Sequence, residues 1–253
     1  MWRVVAACEA GTSHLRTGTP CQDAFAVARA GRSLLLFVAD GAGSAARAEE
    51  GSRLAVDAAL EAARSELASG EPPDAGGWRP ILERIVRAAR ERLEAEAPEG
   101  LRELSTTLLG VLWSPGHLAA LQVGDGWIVT ESMGSTAGAL RALIPPAKGE
   151  YFNETVFLTS SGFAERACYA VMPGEEVSGI ALLTDGLEMV SMDLAEGAPH
   201  EPFFQRLFEL ARDTGEALEE QERELSDFLC SDRVSERTDD DKTLILAVRT
   251  GEE

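Results

Sequence analysis

Two rhythms of apolar residues run along this chain. Leu34-Leu35-Leu36-Phe37-Val38-Ala39 is an unbroken apolar run between turn residues, the pattern of a strand buried on both faces. Trp78, Ile81, Leu82, Ile85, Val86, Ala89 and Leu93 recur at helical spacing and predict one face of a helix over Trp78 to Leu93. A second helix is predicted over Ala45 to Leu67, with a narrow, Ala-rich stripe opposite charges. Pro202 to Ala211 and Glu216 to Leu229 predict two more. Strands are predicted at Trp2 to Cys8, Ala24 to Ala28, Ser33 to Ala39, Ser105 to Trp113, His117 to Val123 and Trp127 to Thr130. Tyr151 to Thr159, Gly179 to Thr184 and Lys242 to Val248 complete the set. Tight turns such as Ala30-Gly31-Arg32, Ser114-Pro115-Gly116 and Gly124-Asp125-Gly126 join neighbouring strands. That order implies antiparallel sheets with helices packed outside, an α+β class, and excludes a regular β-α-β succession. The one breaker-dense loop, residues 69–77, joins two helices, so a single domain over 1–253 is expected.

Composition narrows the partners. The chain has 253 residues, with 43 acids against 23 bases and a net charge of -20. Phosphate backbones and anionic lipids need positive patches, so nucleic acid and membrane surfaces are not expected as main partners. No apolar run approaches the ~18–20 residues of a membrane span. Val5-Ala6-Ala7-Cys8 resembles a lipoprotein cleavage box, but the apolar stretch before it is too short for a signal peptide. Cys8, Cys21, Cys168 and Cys230 are scattered without a C-x-x-C, which predicts reduced thiols and a cytoplasmic protein. His14, His117 and His200 lack zinc-like spacing.

The informative feature is where aspartates fall. The run ending at Ala39 leads into Asp40-Gly41-Ala42-Gly43, Ile180 to Thr184 leads into Asp185-Gly186, and Leu118 to Val123 leads into Gly124-Asp125-Gly126. Asp239-Asp240-Asp241 precedes the last strand, and Asp23 follows Gln22 before another. One Asp-Gly pair is an ordinary turn. Three at the ends of buried strands, with an Asp triplet opening a fourth, suggest gathered carboxylates. Such carboxylates repel unless a cation lies among them. Oxygen-only donors suit hard ions, Mg²⁺ or Mn²⁺. Two such ions can activate a shared water and clamp a phosphate oxygen, so the chemistry alone points to metal-assisted hydrolysis of a phosphate ester.

The ordered series Gly11-Thr12-Ser13-His14, Cys21-Gln22-Asp23-Ala24, Val38-Ala39-Asp40-Gly41-Ala42-Gly43-Ser44, Ser105-Thr106-Thr107-Leu108, Gln122-Val123-Gly124-Asp125-Gly126, Leu183-Thr184-Asp185-Gly186 and Asp240-Asp241-Lys242-Thr243 resembles the metal-dependent protein phosphatases of type 2C. Within them it is most similar to a bacterial, PphC-like branch. The resemblance covers residues 5–249. It implies a four-layer αββα sandwich, two antiparallel sheets flanked by helices, with a two-metal centre. It implies that Asp40 bridges both ions, that the Gly41 carbonyl binds one, and that Asp185 and Asp240 hold the other. Asp23 would bind through water, and Asp125 with Asp185 would hold a weaker third ion. The implied activity is Mn²⁺- or Mg²⁺-dependent hydrolysis of phosphoserine and phosphothreonine in proteins by a metal-bridging hydroxide. The implied partners are a phosphorylated protein and a companion Ser/Thr kinase or its targets. The alternative is a non-catalytic phosphoprotein-binding or regulatory module on the same fold.

Four positions depart from the family pattern. Gln22 stands where Glu is frequent, and Asp241 where Asn is usual. Gly18 occupies the place of a phosphate-binding Arg, which leaves His14 and Arg16 as the substrate-phosphate candidates and His14 as a catalytic candidate beside Asp40. Ala42 replaces a His proposed as general acid, so protonation of the leaving group falls to metal-bound water or His14, with slower turnover on poor leaving groups. Ser105-Thr106-Thr107 lacks the setting of a nucleophilic serine and reads as strand and turn.

Overall fold

The computed structural model describes residues 1–72, 74–98, 100–134, 139–144 and 155–251. In chain order its elements are β1 (Trp2–Glu9), α1 (Thr12–Thr17), β2 (Asp23–Ala30), β3 (Ser33–Asp40), α2 (Ala48–Leu67), α3 (Trp78–Glu96), β4 (Leu108–Trp113), β5 (His117–Val123), β6 (Trp127–Ser132) and β7 (Leu140–Ala142). There follow α4 (Phe163–Arg166), β8 (Cys168–Pro173), β9 (Val177–Leu183), α5 (Glu188–Ser191), β10 (Met192–Asp193), β11 (Ala198–Pro199), α6 (Glu201–Arg212), α7 (Leu218–Cys230), α8 (Asp232–Ser235) and β12 (Lys242–Arg249). The class is α+β, with two five-stranded antiparallel sheets flanked by helices. Contacts divide the chain into two compact units, one of residues 22–126 and 146–175, the other of 1–21, 127–145 and 176–253.

The first of these units carries the sheet β2-β3-β4-β5-β8. Leu35, Phe37 and Ala39 of β3 pack on the helix side, against Leu54, Ala55 and Ala59 of α2 and Ile81, Leu82 and Ile85 of α3. The small side chains of α2 let it lie close to α3 and to the sheet. Leu34, Leu36 and Val38 point to the opposite face and are buried as well, which is why the run lacks polar alternation. Gly110 of β4 leaves room for the Phe37 ring: a Cβ there would stand 2.5 Å from it.

The other unit carries the sheet β1-β12-β9-β6-β7. Its helix-covered face joins Val5, Leu244, Leu246, Ala181 and Trp127 to Phe204, Leu207 and Phe208 of α6 and Leu225 and Leu229 of α7. Buried Glu131 is satisfied by Arg212 and by the Ser178 hydroxyl. Trp2, Trp78, Trp113 and Trp127 are all buried, as core rather than binding platforms.

Three expectations need correction. Tyr151 to Thr159 is not a strand: 155–157 have no regular structure and 158–159 form a turn, while 151–154 lie outside the described residues. Leu158 is nonetheless buried in the helix-side core, with its N–H on the Thr106 carbonyl and its own carbonyl held by Arg90, so the apolar signal came from a packed loop. The short helix α1 and the edge strand β8 were not expected. The helix predicted from Ala45 and the strand predicted from Ser105 each begin three residues later, at Ala48 and Leu108.

Candidate functional site

The predicted residues fall into two clusters, one per unit, each at the end of its sheet. In the first, Asp23 opens β2 and Asp40 closes β3, and the two are direct partners across the ladder. Partners directly opposite in an antiparallel pair put their side chains on the same face. Here that face is the one away from the helices, since Ala39 points to them. Asp23 is 7% exposed and Asp40 half-buried. Two carboxylates so placed repel, and a cation is the natural relief.

The backbone around Asp40 is clamped. Its N–H donates to Thr107 Oγ1 at 2.9 Å. Its carbonyl accepts from Thr107 N and from Thr106 Oγ1, each at 2.8 Å. Gly41 N–H donates to the Gln22 carbonyl and Ala42 N–H to the Ser105 carbonyl, at 3.1 and 2.9 Å. A Cβ on Gly41 would lie 2.5 Å from the Ala48 carbonyl oxygen and 2.7 Å from that of Gln22, so only glycine fits. The Ser-Thr-Thr run thus holds the chain and supplies no nucleophile. Thr107→Val keeps the volume but removes the acceptor for the Asp40 N–H, a loss of about 1–3 kcal/mol at a buried position. The expected result is a lower thermal midpoint with reduced metal-dependent turnover. A variant matching wild type in both would contradict this role.

Asp125 sits in the turn after β5. Gly124 has φ of +115°, and a Cβ there would meet Thr107 Cγ2 at 2.5 Å, so the turn packs on the residue that clamps Asp40. Gln122, on the same sheet face as Val38 and Asp40 by the β3–β4–β5 register, donates both amide hydrogens to the Gly124 and Gly126 carbonyls. The Asp125 carboxylate accepts from Thr155 Oγ1. Gln122 and Thr107 are supporting residues that carboxylate counting did not find. Both stand inside the quoted motifs, but nothing in their type announces the bond each makes.

In the second unit, Asp185 follows β9 and the Asp triplet precedes β12. Thr184 N–H donates to the Thr243 carbonyl and Thr243 N–H to Thr184 Oγ1, at 3.2 and 3.0 Å, which ties the two strand ends together. A Cβ on Gly186 would lie 1.9 Å from the Asp241 carbonyl oxygen and 3.6 Å from Asp240 Cβ. Asp240, exposed, accepts the Asp241 N–H on Oδ1 at 2.9 Å. Asp241 is only 3% exposed and points the other way. Its Oδ1 accepts from Gly11 N–H at 2.7 Å and from His14 Nδ1 at 2.8 Å. A carboxylate can only accept, so Nδ1 carries the proton and Nε2 is the outward nitrogen. Asp241 therefore orients His14.

His14 lies on α1, whose start is fixed by Ser13 N–H and Oγ on the Asp239 carbonyl, at 3.0 and 2.6 Å. Arg16, on the same turn, reaches the Asp239 carboxylate at 3.3 Å with both side chains about 70% exposed, a solvent-screened surface pair. Cys8 and Cys21 stand with sulfurs 3.4 Å apart in this unit, and their contact lowers the Cys8 thiol from its ordinary value.

Among the described residues, no three His, Cys, Asp or Glu side chains are already gathered into a metal cage. The donor set still fits a hard divalent ion: facing carboxylates at Asp23 and Asp40, and glycines that allow close backbone approach.

Comparison with known proteins agrees. The family described as Protein phosphatase 2C matches residues 10–251, across both units. Serine/threonine-protein phosphatase 3 of Escherichia coli K12 is 37% identical over 257 residues, covering 98% of each chain. The structure of Serine/threonine phosphatase Stp1 from Staphylococcus aureus superposes with a TM-score of 0.67 at 16% identity, over 99% of this chain and 96% of that one. RsbX, solved in complex with magnesium, gives 0.58 at 17%, over 98% and 94%. This chain belongs to the protein phosphatase 2C family.

Proposed function

We propose that the chain is a metal-dependent protein-serine/threonine phosphatase that dephosphorylates phosphoserine and phosphothreonine in proteins. The observation that carries the reading is the Asp23–Asp40 pair, clamped by Thr106 and Thr107, in a chain matched to the family over 10–251. The E. coli relative bears the same activity in its name. Asp40, the Gly41 carbonyl, Asp185 and Asp240 would hold two Mn²⁺ or Mg²⁺ ions, with Asp23 acting through water and Asp125 with Asp185 holding a third. When bound, such ions polarise phosphate oxygens and lower the pKa of water. The residues' own part is to fix donors in place: Thr106 and Thr107 set the Asp40 backbone, and Gln122 sets the Asp125 turn. His14, oriented by Asp241, can donate from Nε2 to the substrate phosphate or leaving oxygen when both ring nitrogens carry protons, with Nδ1–H kept on the Asp241 carboxylate. Arg16 offers its guanidinium from the same turn. Cytoplasmic location and a companion Ser/Thr kinase belong to this reading. They are supported by the scattered cysteines, which form no C-x-x-C, and by the need for a source of phosphoprotein.

Calorimetric titration of Mn²⁺ into EDTA-stripped protein, beside Asp185→Asn, tests the metal assignment without relying on turnover. Binding in wild type, weakened at least about tenfold in the variant, is expected. Equal heats from the two proteins would contradict the role of Asp185. Binding without hydrolysis of any phosphopeptide would favour a phosphoprotein-binding module.

A further inference from the structure

In the second unit, α6, α7 and α8 enclose a groove of about 150 Å³ that no part of the proposed chemistry uses. Its floor is apolar: Phe203, Leu207 and Leu210 of α6, Phe228 of α7 and Val234 of α8. Phe203 and Phe228 stand with ring centres 5.9 Å apart. Cavities of about this volume, lined by Leu and Phe, take up a benzene-sized group. The rim is different. Arg206, Arg233 and Arg237 line it against a single carboxylate, Glu224. All three arginines are exposed, and none makes an ion pair among the described residues. Three guanidiniums therefore face one carboxylate around an apolar hole, a local positive excess on a chain of net charge -20.

We propose that this groove is a docking site for phosphoprotein substrates. A Leu or Phe side chain of the substrate seats in the cavity, and flanking Asp or Glu side chains pair with the three arginines. Charge complementarity selects the occupant: three guanidiniums against one carboxylate attract an acidic segment, although the chain as a whole is acidic. Placement fits. Arg237 is three residues from Asp240, at most about 11 Å along an extended chain at ~3.6 Å per residue. Val190, also on the lining, is five residues from Asp185. A docking segment a few residues from the phosphoresidue would therefore hold it at high effective concentration near the acids. The idea rests on the phosphatase reading for its consequence, but not for the binding itself.

The test has two arms. Fluorescence anisotropy with a labelled Glu-Asp-Phe-Leu-Glu-Asp peptide is expected to show binding that weakens with salt. A matched peptide with Lys for every acid should not bind. In the Arg206→Ala/Arg233→Ala/Arg237→Ala variant the acidic peptide should weaken at least about tenfold. The second arm compares a phosphothreonine peptide with and without this sequence attached. Wild type should show a KM about tenfold lower for the longer peptide at unchanged kcat. The triple variant should lose that advantage and keep wild-type turnover of p-nitrophenyl phosphate. No binding of the acidic peptide, equal binding of the Lys peptide, or an advantage that survives in the triple variant would each overturn the proposal. Loss of all phosphatase activity in wild type would sink the phosphatase reading and leave the anisotropy result standing.

Discussion

Asp40→Asn should abolish metal-dependent turnover while leaving the fold intact. Asn has the same shape, and the bonds that fix this position run through the backbone N–H and carbonyl, which the substitution does not touch. Losing a partner that merely orients a ligand costs roughly 10–100-fold in metal affinity or activity, so loss of the ligand carboxylate should exceed about a hundredfold. The stability result carries an opposite sign in the two conditions. Without metal, Asn removes a negative charge directly across the ladder from Asp23, so the thermal midpoint should hold or rise. With Mn²⁺ at a hundred times Kd, wild type gains about 2.7 kcal/mol. For a chain of this size that is roughly 5–10 °C. The variant should lose most of that gain. Differential scanning fluorimetry with EDTA and with Mn²⁺ reads both. A variant stabilised by Mn²⁺ as strongly as wild type would remove Asp40 from the centre.

Gly186→Ala should have the second largest effect, by a different route. The added Cβ would lie 1.9 Å from the Asp241 carbonyl oxygen, and no side-chain rotation relieves a clash with backbone. The strand ends cannot simply part, because Thr184 and Thr243 bond each other on both sides. Relief must come from shifting the Asp185 turn away from the Asp240-Asp241 segment. Overpacking of this kind costs about 1–3 kcal/mol. Misplacing catalytic groups by ~1 Å costs about a hundredfold in rate. The variant should therefore stay folded, melt several degrees lower and turn over about a hundredfold more slowly. Gly116→Ala is the control: its added Cβ meets nothing within 4 Å, and it should behave as wild type. Equal activity of the two variants would contradict the close approach at Gly186.

Much of this was legible in the chain. β3, β4 and β9 are buried on both faces, so continuous apolar runs marked them, and a Gly after each strand-end Asp marked the turns. The elements that escaped lack such a signal. α1 has six residues and no buried face, and it exists because Ser13 anchors it to Asp239. β8 is an edge strand of half-buried residues, recognisable only once β5 is there to pair with it. Val156-Phe157-Leu158 looked like a strand because Leu158 is core, and apolar periodicity cannot distinguish a packed loop from a short strand. The site divided in the same way. The acids could be read from their positions, whereas the Thr107–Asp40 and Asp241–His14 bonds depend on residues 67 and 227 positions apart in sequence.

The most direct test of the central claim is phosphate release from a phosphothreonine peptide, measured with Mn²⁺, after EDTA, and after Mn²⁺ is restored. The account predicts turnover with metal, none after chelation, full recovery on restoration, and none under any condition for Asp40→Asn. Turnover that persists in EDTA, or folded and metal-loaded wild type that releases no phosphate, would contradict it.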